Sequence, residues 1–394
     1  MRWPDIMTQP FVPAAKTRDV RLDVARGLAL LTIFINHVPG NPLEGFTSRN
    51  FGFSDAAEAF VLMSGLAVAL AYSGGFFRND WRGAAGRMLR RAGKLYLVHV
   101  VTMSLALMIL AAGVAFLGTD QVAEQVNFTR LQTDGWKAAL GVPLLGYQIG
   151  YFNILPLYVV LLVAAIALLA VGMRNVWAML ALSACVWILA HLTGLNLPNW
   201  PGDWGWFLNP FGWQLVFACG IAIGLGVMKG RPLVPFNPVL FVLSWGFVLF
   251  SAFWVKLEMG AVPGLAHLPA LLADTDKGAL AFLRLVHVLA LAYAVIHTGW
   301  VGALLSSAPM RPVATIGRNG LAVFAAGSLL AILLQVVFEA WPVSDFGKML
   351  FIVAGIAVHY AVALRFDDRK RTGRARNPKA AMPPLRPDRE TSNA

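Results

Sequence analysis

Ten stretches of this 394-residue chain are apolar for roughly 20 positions each, enough to cross a bilayer as helices. They run over about 21–39, 54–72, 93–117, 150–172, 176–194, 209–228, 235–255, 281–301, 313–338 and 346–365. A soluble domain carries about 25% charged residues; here 13% are charged and 58% hydrophobic, so little polar sequence is left to clothe a water-exposed surface. Disordered, collagen-like and coiled-coil chains are excluded by the same balance. Backbone N–H and C=O groups in hydrocarbon must be paired within the segment that carries them, so each stretch reads as a helix. The expected fold is an all-α polytopic membrane protein, a bundle of about ten transmembrane helices.

The connections between the segments carry an orientation signal. With the N-terminus set in the cytoplasm, 25 of the 32 Lys and Arg residues fall on the cytoplasmic side. Only Arg49, Arg130, Lys137, Lys256, Lys277, Arg284 and Lys348 fall outside, and the two sides carry +17 and −5. This is the positive-inside pattern, and it predicts cytoplasmic N- and C-termini. The net charge of +12 therefore reads as topology and implies no nucleic-acid partner. Residues 1–18 hold Pro4, Pro10 and Pro13 and no apolar core before a cleavage site, so they read as a cytoplasmic arm without a cleavable signal. Residues 19–366 form the membrane domain, and the Lys-, Arg- and Pro-rich stretch 367–394 reads as a disordered cytoplasmic tail. Cys185 and Cys219 both lie in apolar segments, which gives neither a disulfide framework nor a metal site. No internal repeat and no glycine-rich phosphate loop is present.

Ionisable groups within a span are costly and mark function by default. The first segment carries Asp23, Arg26 and His37, with Asn36 beside the histidine. Arg26 and His37 are 11 positions apart, about three turns, so they share a face roughly 16 Å apart, Arg26 inward and His37 outward. The second segment opens with Asp55 and Glu58 at i, i+3, at the membrane level of His37. A carboxylate that orients an imidazole is the arrangement a general base uses. Asp55 also suits a helix N-cap, which leaves Glu58 unexplained. Other outer helix ends carry the amides Asn153, Asn209 and Gln214. Between these lies the aromatic run Trp200 to Trp213, including Trp204 and Trp206. Stacking faces with neighbouring amides suit a sugar, and an interfacial tryptophan belt gives the same pattern. On the cytoplasmic side Arg318 enters the ninth segment near the depth of Arg26. The histidines His99, His191, His267, His287, His297 and His359 read as packing or loop residues.

The run Arg21-Leu22-Asp23-Val24-Ala25-Arg26-Gly27-Leu28-Ala29 with His37 is similar to the R-x10-H first-helix signature of the transmembrane acyltransferases. More closely, the chain resembles the OpgC family of inner-membrane proteins that succinylate osmoregulated periplasmic glucans. That match rests on 53–60 with Ser64-Gly65, on 151–158, on Asn209-Pro210-Phe211 with Trp213-Gln214, and on Gly317-Arg318 leading to Phe324 and Ser328. The resemblance covers roughly residues 15–366. It implies a multi-pass protein of the bacterial inner membrane that transfers an acyl group from coenzyme A to a glycan hydroxyl. No cofactor would be held permanently; acyl-CoA, with succinyl-CoA favoured, would be a co-substrate and a periplasmic glucan the partner.

On this reading Arg26 and Arg318 hold the donor phosphates and His37 is the base, with Asp55 or Glu58 steadying its imidazolium. Asn36, Asn153 or a backbone N–H faces the oxyanion. An O-acetyltransferase acting on another envelope polysaccharide or a lipid fits the same residues. A proton-coupled secondary transporter using His37 and the carboxylates as a relay predicts inverted repeats and broken helices, and neither is visible in the sequence.

Overall fold

The structure is a computed structural model that describes residues 19–202, 204–259 and 274–376, with side chains to 369. The arm 1–18, Asp203, His267 and the tail 377–394 lie outside the described residues. Among the described residues ten long helices make up the bundle: α1 (Val20–Asn36), α2 (Ala56–Phe77), α3 (Trp81–Leu117), α4 (Ile154–Arg174), α5 (Val176–Thr193), α6 (Pro210–Met228), α7 (Pro238–Lys256), α8 (Phe282–His297), α9 (Gly320–Ala340) and α10 (Asp345–Arg376). Eight of them are long and apolar enough to cross a membrane, and α8 with the short helix Gly299–Leu305 makes a ninth if the bent pair is one span. The helix below that measure is α1, whose 17 residues span about 26 Å. The multi-pass helical fold expected from the segments is what forms, and no strand occurs among the described residues.

Four boundaries differ from the hydropathy reading, each for a local reason. The eighth segment ends at His297 and the chain turns by 85° into Gly299–Leu305. Thr298 is extended there, with its hydroxyl donating back to the Ala294 carbonyl and accepting from the Trp245 indole. The ninth segment is two helices, Arg311–Arg318 and α9, because the Asn319 amide takes the carbonyls of Thr315 and Ala363 and so competes with the helix ladder. α3 is one helix of 37 residues that begins at Trp81, so the basic run 82–94 is its first turns. α10 continues to Arg376, so residues 367–376 of the expected disordered tail are helical.

In lipid, helices associate by close packing, and small residues let backbones meet. α2 and α6 pack most closely: a Cβ on Gly65 would run into the Phe217 carbonyl, and one on Gly220 into the Leu62 carbonyl. Helix Arg311–Arg318 lies on α1 the same way, with Gly317 against the Asp23 carbonyl and Gly27 against that of Val313. Trp213, Phe217, Leu157, Leu161 and Leu162 fill the centre of the main apolar core. The C-termini of α1 and α9, the N-termini of α2 and α4, and the segments leading into α6 and α8 meet at one end of the bundle around a shared cavity. Three short helices between α3 and α4, Asp120–Gln125, Thr129–Asp134 and Trp136–Gly141, pack over that end.

Candidate active site

His37 closes α1. Its N–H bonds back to the Ile33 and Phe34 carbonyls, and its own carbonyl accepts from Gln335 Nε2 of α9 at 2.8 Å. With the backbone held from both sides, the imidazole lies flat on the Tyr151 ring, centroids 4.0 Å apart and planes 14° apart. Among the described residues no hydrogen bond engages either ring nitrogen. Beside it, Asn36 Oδ1 is buried with no hydrogen-bond partner among the described residues. Both residues line a cavity of about 320 Å³, which also takes in Gln125, Tyr151, Asn153, Lys277 and Gln335. That volume is within the range of small-ligand sites.

The carboxylates are used differently from the sequence expectation. Asp55 caps α2, accepting from Ala57 N–H at 2.7 Å, while Glu58 Oε2 accepts from Asp55 N–H at 2.9 Å, a reciprocal capping box. Arg284 Nε donates to Glu58 Oε1 at 2.6 Å, and Lys277 Nζ donates to Asp55 Oδ2 at 2.6 Å. Glu58 is fully buried, so its charge needs a close counter-ion, and the guanidinium supplies it. Neither acid hydrogen-bonds His37. Asp55 and its partner Lys277 both line the cavity wall, and Glu58 is no part of it. The group that covers the imidazole is the Tyr151 ring face.

Of the residues expected to bind an acceptor, Asn36 and Asn153 line the cavity and the others do not. Asn153 precedes α4 without capping it; its Nδ2 reaches the Gly150 carbonyl at 3.5 Å. Asn209 is spent as the N-cap of α6 and as donor to the Leu195 carbonyl. Gln214 donates to the carbonyls of Ser183 and Phe211. Trp206 is buried with its indole N–H on Pro198, and the Trp204 indole is covered by the Arg130 guanidinium at 4.5 Å. Asn209, Gln214 and Trp206 are consumed by the fold, as buried polar groups must be, while Trp204 stays exposed.

Toward the other end of α1, Arg26 donates to the Met63 carbonyl of α2 at 3.1 Å. Arg318 ends its helix beside Gly317, which packs on the Asp23 backbone, so it leaves the chain near the first turns of α1. It donates to Thr315 Oγ1 at 2.9 Å and pairs with Asp367 of α10 at 3.6 Å.

Lys277, Arg284, Tyr151, Gln335 and Arg49 were not read as site residues from the sequence. Lys277 and Arg284 had a signal: both are cations on the side that carries few, close to the start of a span. His287, read as packing, lies 2.6 Å from Ser54 Oγ and accepts from Ser54 N–H, tying α8 to the start of α2.

No curated protein and no solved structure matches the chain. The family described as OpgC protein matches residues 18–371, which include every residue of the His37 cavity as well as Arg26 and Arg318. The chain belongs to the OpgC family.

Proposed function

We propose that this protein is an O-acyltransferase of the bacterial inner membrane that moves an acyl group from cytoplasmic acyl-CoA to hydroxyls of a periplasmic glucan. The observation that carries the reading is His37: an imidazole with both nitrogens open, stacked on Tyr151 in a cavity, at the opposite end of α1 from Arg26. The charge split of +17 against −5 supports cytoplasmic termini, which puts Arg26 on the donor side and His37 on the acceptor side.

His37 takes the proton of the acceptor hydroxyl as its oxygen forms a bond to the thioester carbonyl carbon. The C–S bond then breaks, and the proton leaves with the coenzyme A sulfur as the thiol. Arg26 and Arg318 hold the donor phosphates by charge-assisted hydrogen bonds, with Arg318 exchanging its pair with Asp367 for a phosphate. The Asn153 amide and the uncapped start of α4 face the oxyanion. The orphaned Asn36 Oδ1 is an acceptor, so it suits the attacking hydroxyl rather than the oxyanion.

A succinyl group is favoured over acetyl because the cavity wall carries Lys277. Lys277 uses one of its three donors on Asp55 and has two for the free carboxylate of a dicarboxylic acyl group. The test is thiol release from succinyl-CoA by purified protein in detergent. His37→Ala should slow it by ~10²–10⁴ while the protein stays folded and inserted. Turnover at the wild-type rate in that variant refutes the proposal.

A further inference from the structure

A second cavity, of about 410 Å³, opens at the His37 end of the bundle. Its wall includes Phe53 and Trp254, the guanidinium groups of Arg49 and Arg284, the Glu258 carboxylate and Thr275. Arg49 lines both this cavity and the His37 cavity. Phe53 stands two residues before Asp55, so the two cavities adjoin along the segment 49–55. We infer that this second cavity is the acceptor subsite, and that it takes a neutral oligosaccharide whose reactive hydroxyl passes Arg49 to reach His37. The inference rests on the acyltransferase reading for the reaction, and on the cavity itself for binding.

The wall fits that class of ligand on three counts. An indole and a phenyl offer apolar surface to the C–H faces of a sugar ring. Guanidinium groups donate to hydroxyl oxygens, and a carboxylate accepts from hydroxyl hydrogens. Among the described residues Glu258 has no ionic or hydrogen-bond partner, and its carboxylate lies in the cavity wall. The charge of the wall argues against a polyanion. Arg49 is paired with Glu44 and Arg284 with Glu58, and Lys256, held over the Phe51 ring, offsets Glu258, so the wall has no excess positive charge for a polyanion. A lipid acceptor is poorly matched as well, because four of these six residues present polar groups. In the aromatic run 200–213, expected from the sequence to hold a sugar, the indole N–H groups of Trp200, Trp206 and Trp213 are bonded to backbone carbonyls, and only Phe207 and Leu208 of the run reach a cavity wall, that of His37.

Titration calorimetry of the purified protein with a neutral gluco-oligosaccharide tests the assignment directly, beside acyl-transfer kinetics on the same preparations. Trp254→Leu and Glu258→Gln should each weaken oligosaccharide binding by about 3- to 10-fold and raise its KM in proportion, with the KM for succinyl-CoA at the wild-type value. Wild-type affinity in both variants, or loss in Trp204→Leu in their place, overturns the subsite. Oligosaccharide binding that depends on Trp254 in a protein that never cleaves the thioester would sink the transferase reading and leave the subsite standing. Transfer to glucan with unaltered acceptor affinity in both variants would do the reverse.

Discussion

The Tyr151–His37 stack gives the sharpest prediction, because it replaces the carboxylate that a histidine base would ordinarily be paired with. When His37 takes a proton, the imidazolium lies 4.0 Å above the phenol ring, nearly parallel to it, with Glu58 held by Arg284 and Asp55 by Lys277. The negative face of the ring attracts that charge, by about 1–2 kcal/mol for a partly desolvated pair. Only the part gained on protonation speeds the chemical step, since the neutral ring is already stacked in the ground state. Tyr151→Leu should therefore lower kcat by roughly 5- to 30-fold with little change in either KM. Tyr151→Phe keeps the ring face and should retain most of the activity. The assay is initial-rate thiol release at saturating succinyl-CoA and glucan, with both KM values determined for each variant. A wild-type kcat in Tyr151→Leu refutes the argument. So does a Tyr151→Phe variant as slow as the leucine, which would assign the work to the hydroxyl.

Reporter fusions after Gly118 and Thr193 should read as periplasmic, and those after Arg82 and Gly230 as cytoplasmic; a reversed fusion overturns the orientation of that loop. Arg26→Lys keeps the charge and loses the planar fork, so the KM for acyl-CoA should rise. Arg318→Lys should cost less, because Asp367 already competes for that side chain; unchanged donor KM in both variants would assign these arginines to structure. Lys277→Met should depress kcat/KM for succinyl-CoA about 10- to 100-fold relative to acetyl-CoA in the same preparation, the size of a charge-assisted hydrogen bond. Equal losses for both donors would show that Lys277 acts only by holding Asp55.

What the chain states about itself in one dimension concerns the bilayer and the helix period. Hydrocarbon demands about 20 apolar residues per crossing and a helix in each, so the segments and the helical fold are legible before any contact is known. The 3.6-residue repeat is equally local, and it alone puts Arg26 and His37 on one face of α1. Asp55 as an N-cap, with Glu58 three residues on, was also open to inspection. What surrounds His37 was not, because its partners come from elsewhere in the chain: Tyr151 from the start of α4, Gln335 from the end of α9. The same holds for Glu58, whose counter-ion is 226 positions away, and for Asp55, whose lysine is 222 away. Nor does composition tell an amide facing a substrate from one that satisfies the backbone. Asn153 and Asn209 look alike as helix-end amides, yet one lines the cavity and the other is enclosed against Leu195 and Phe211. Buried polar groups take whichever partner the packing brings within reach, and that choice is made only when the helices meet.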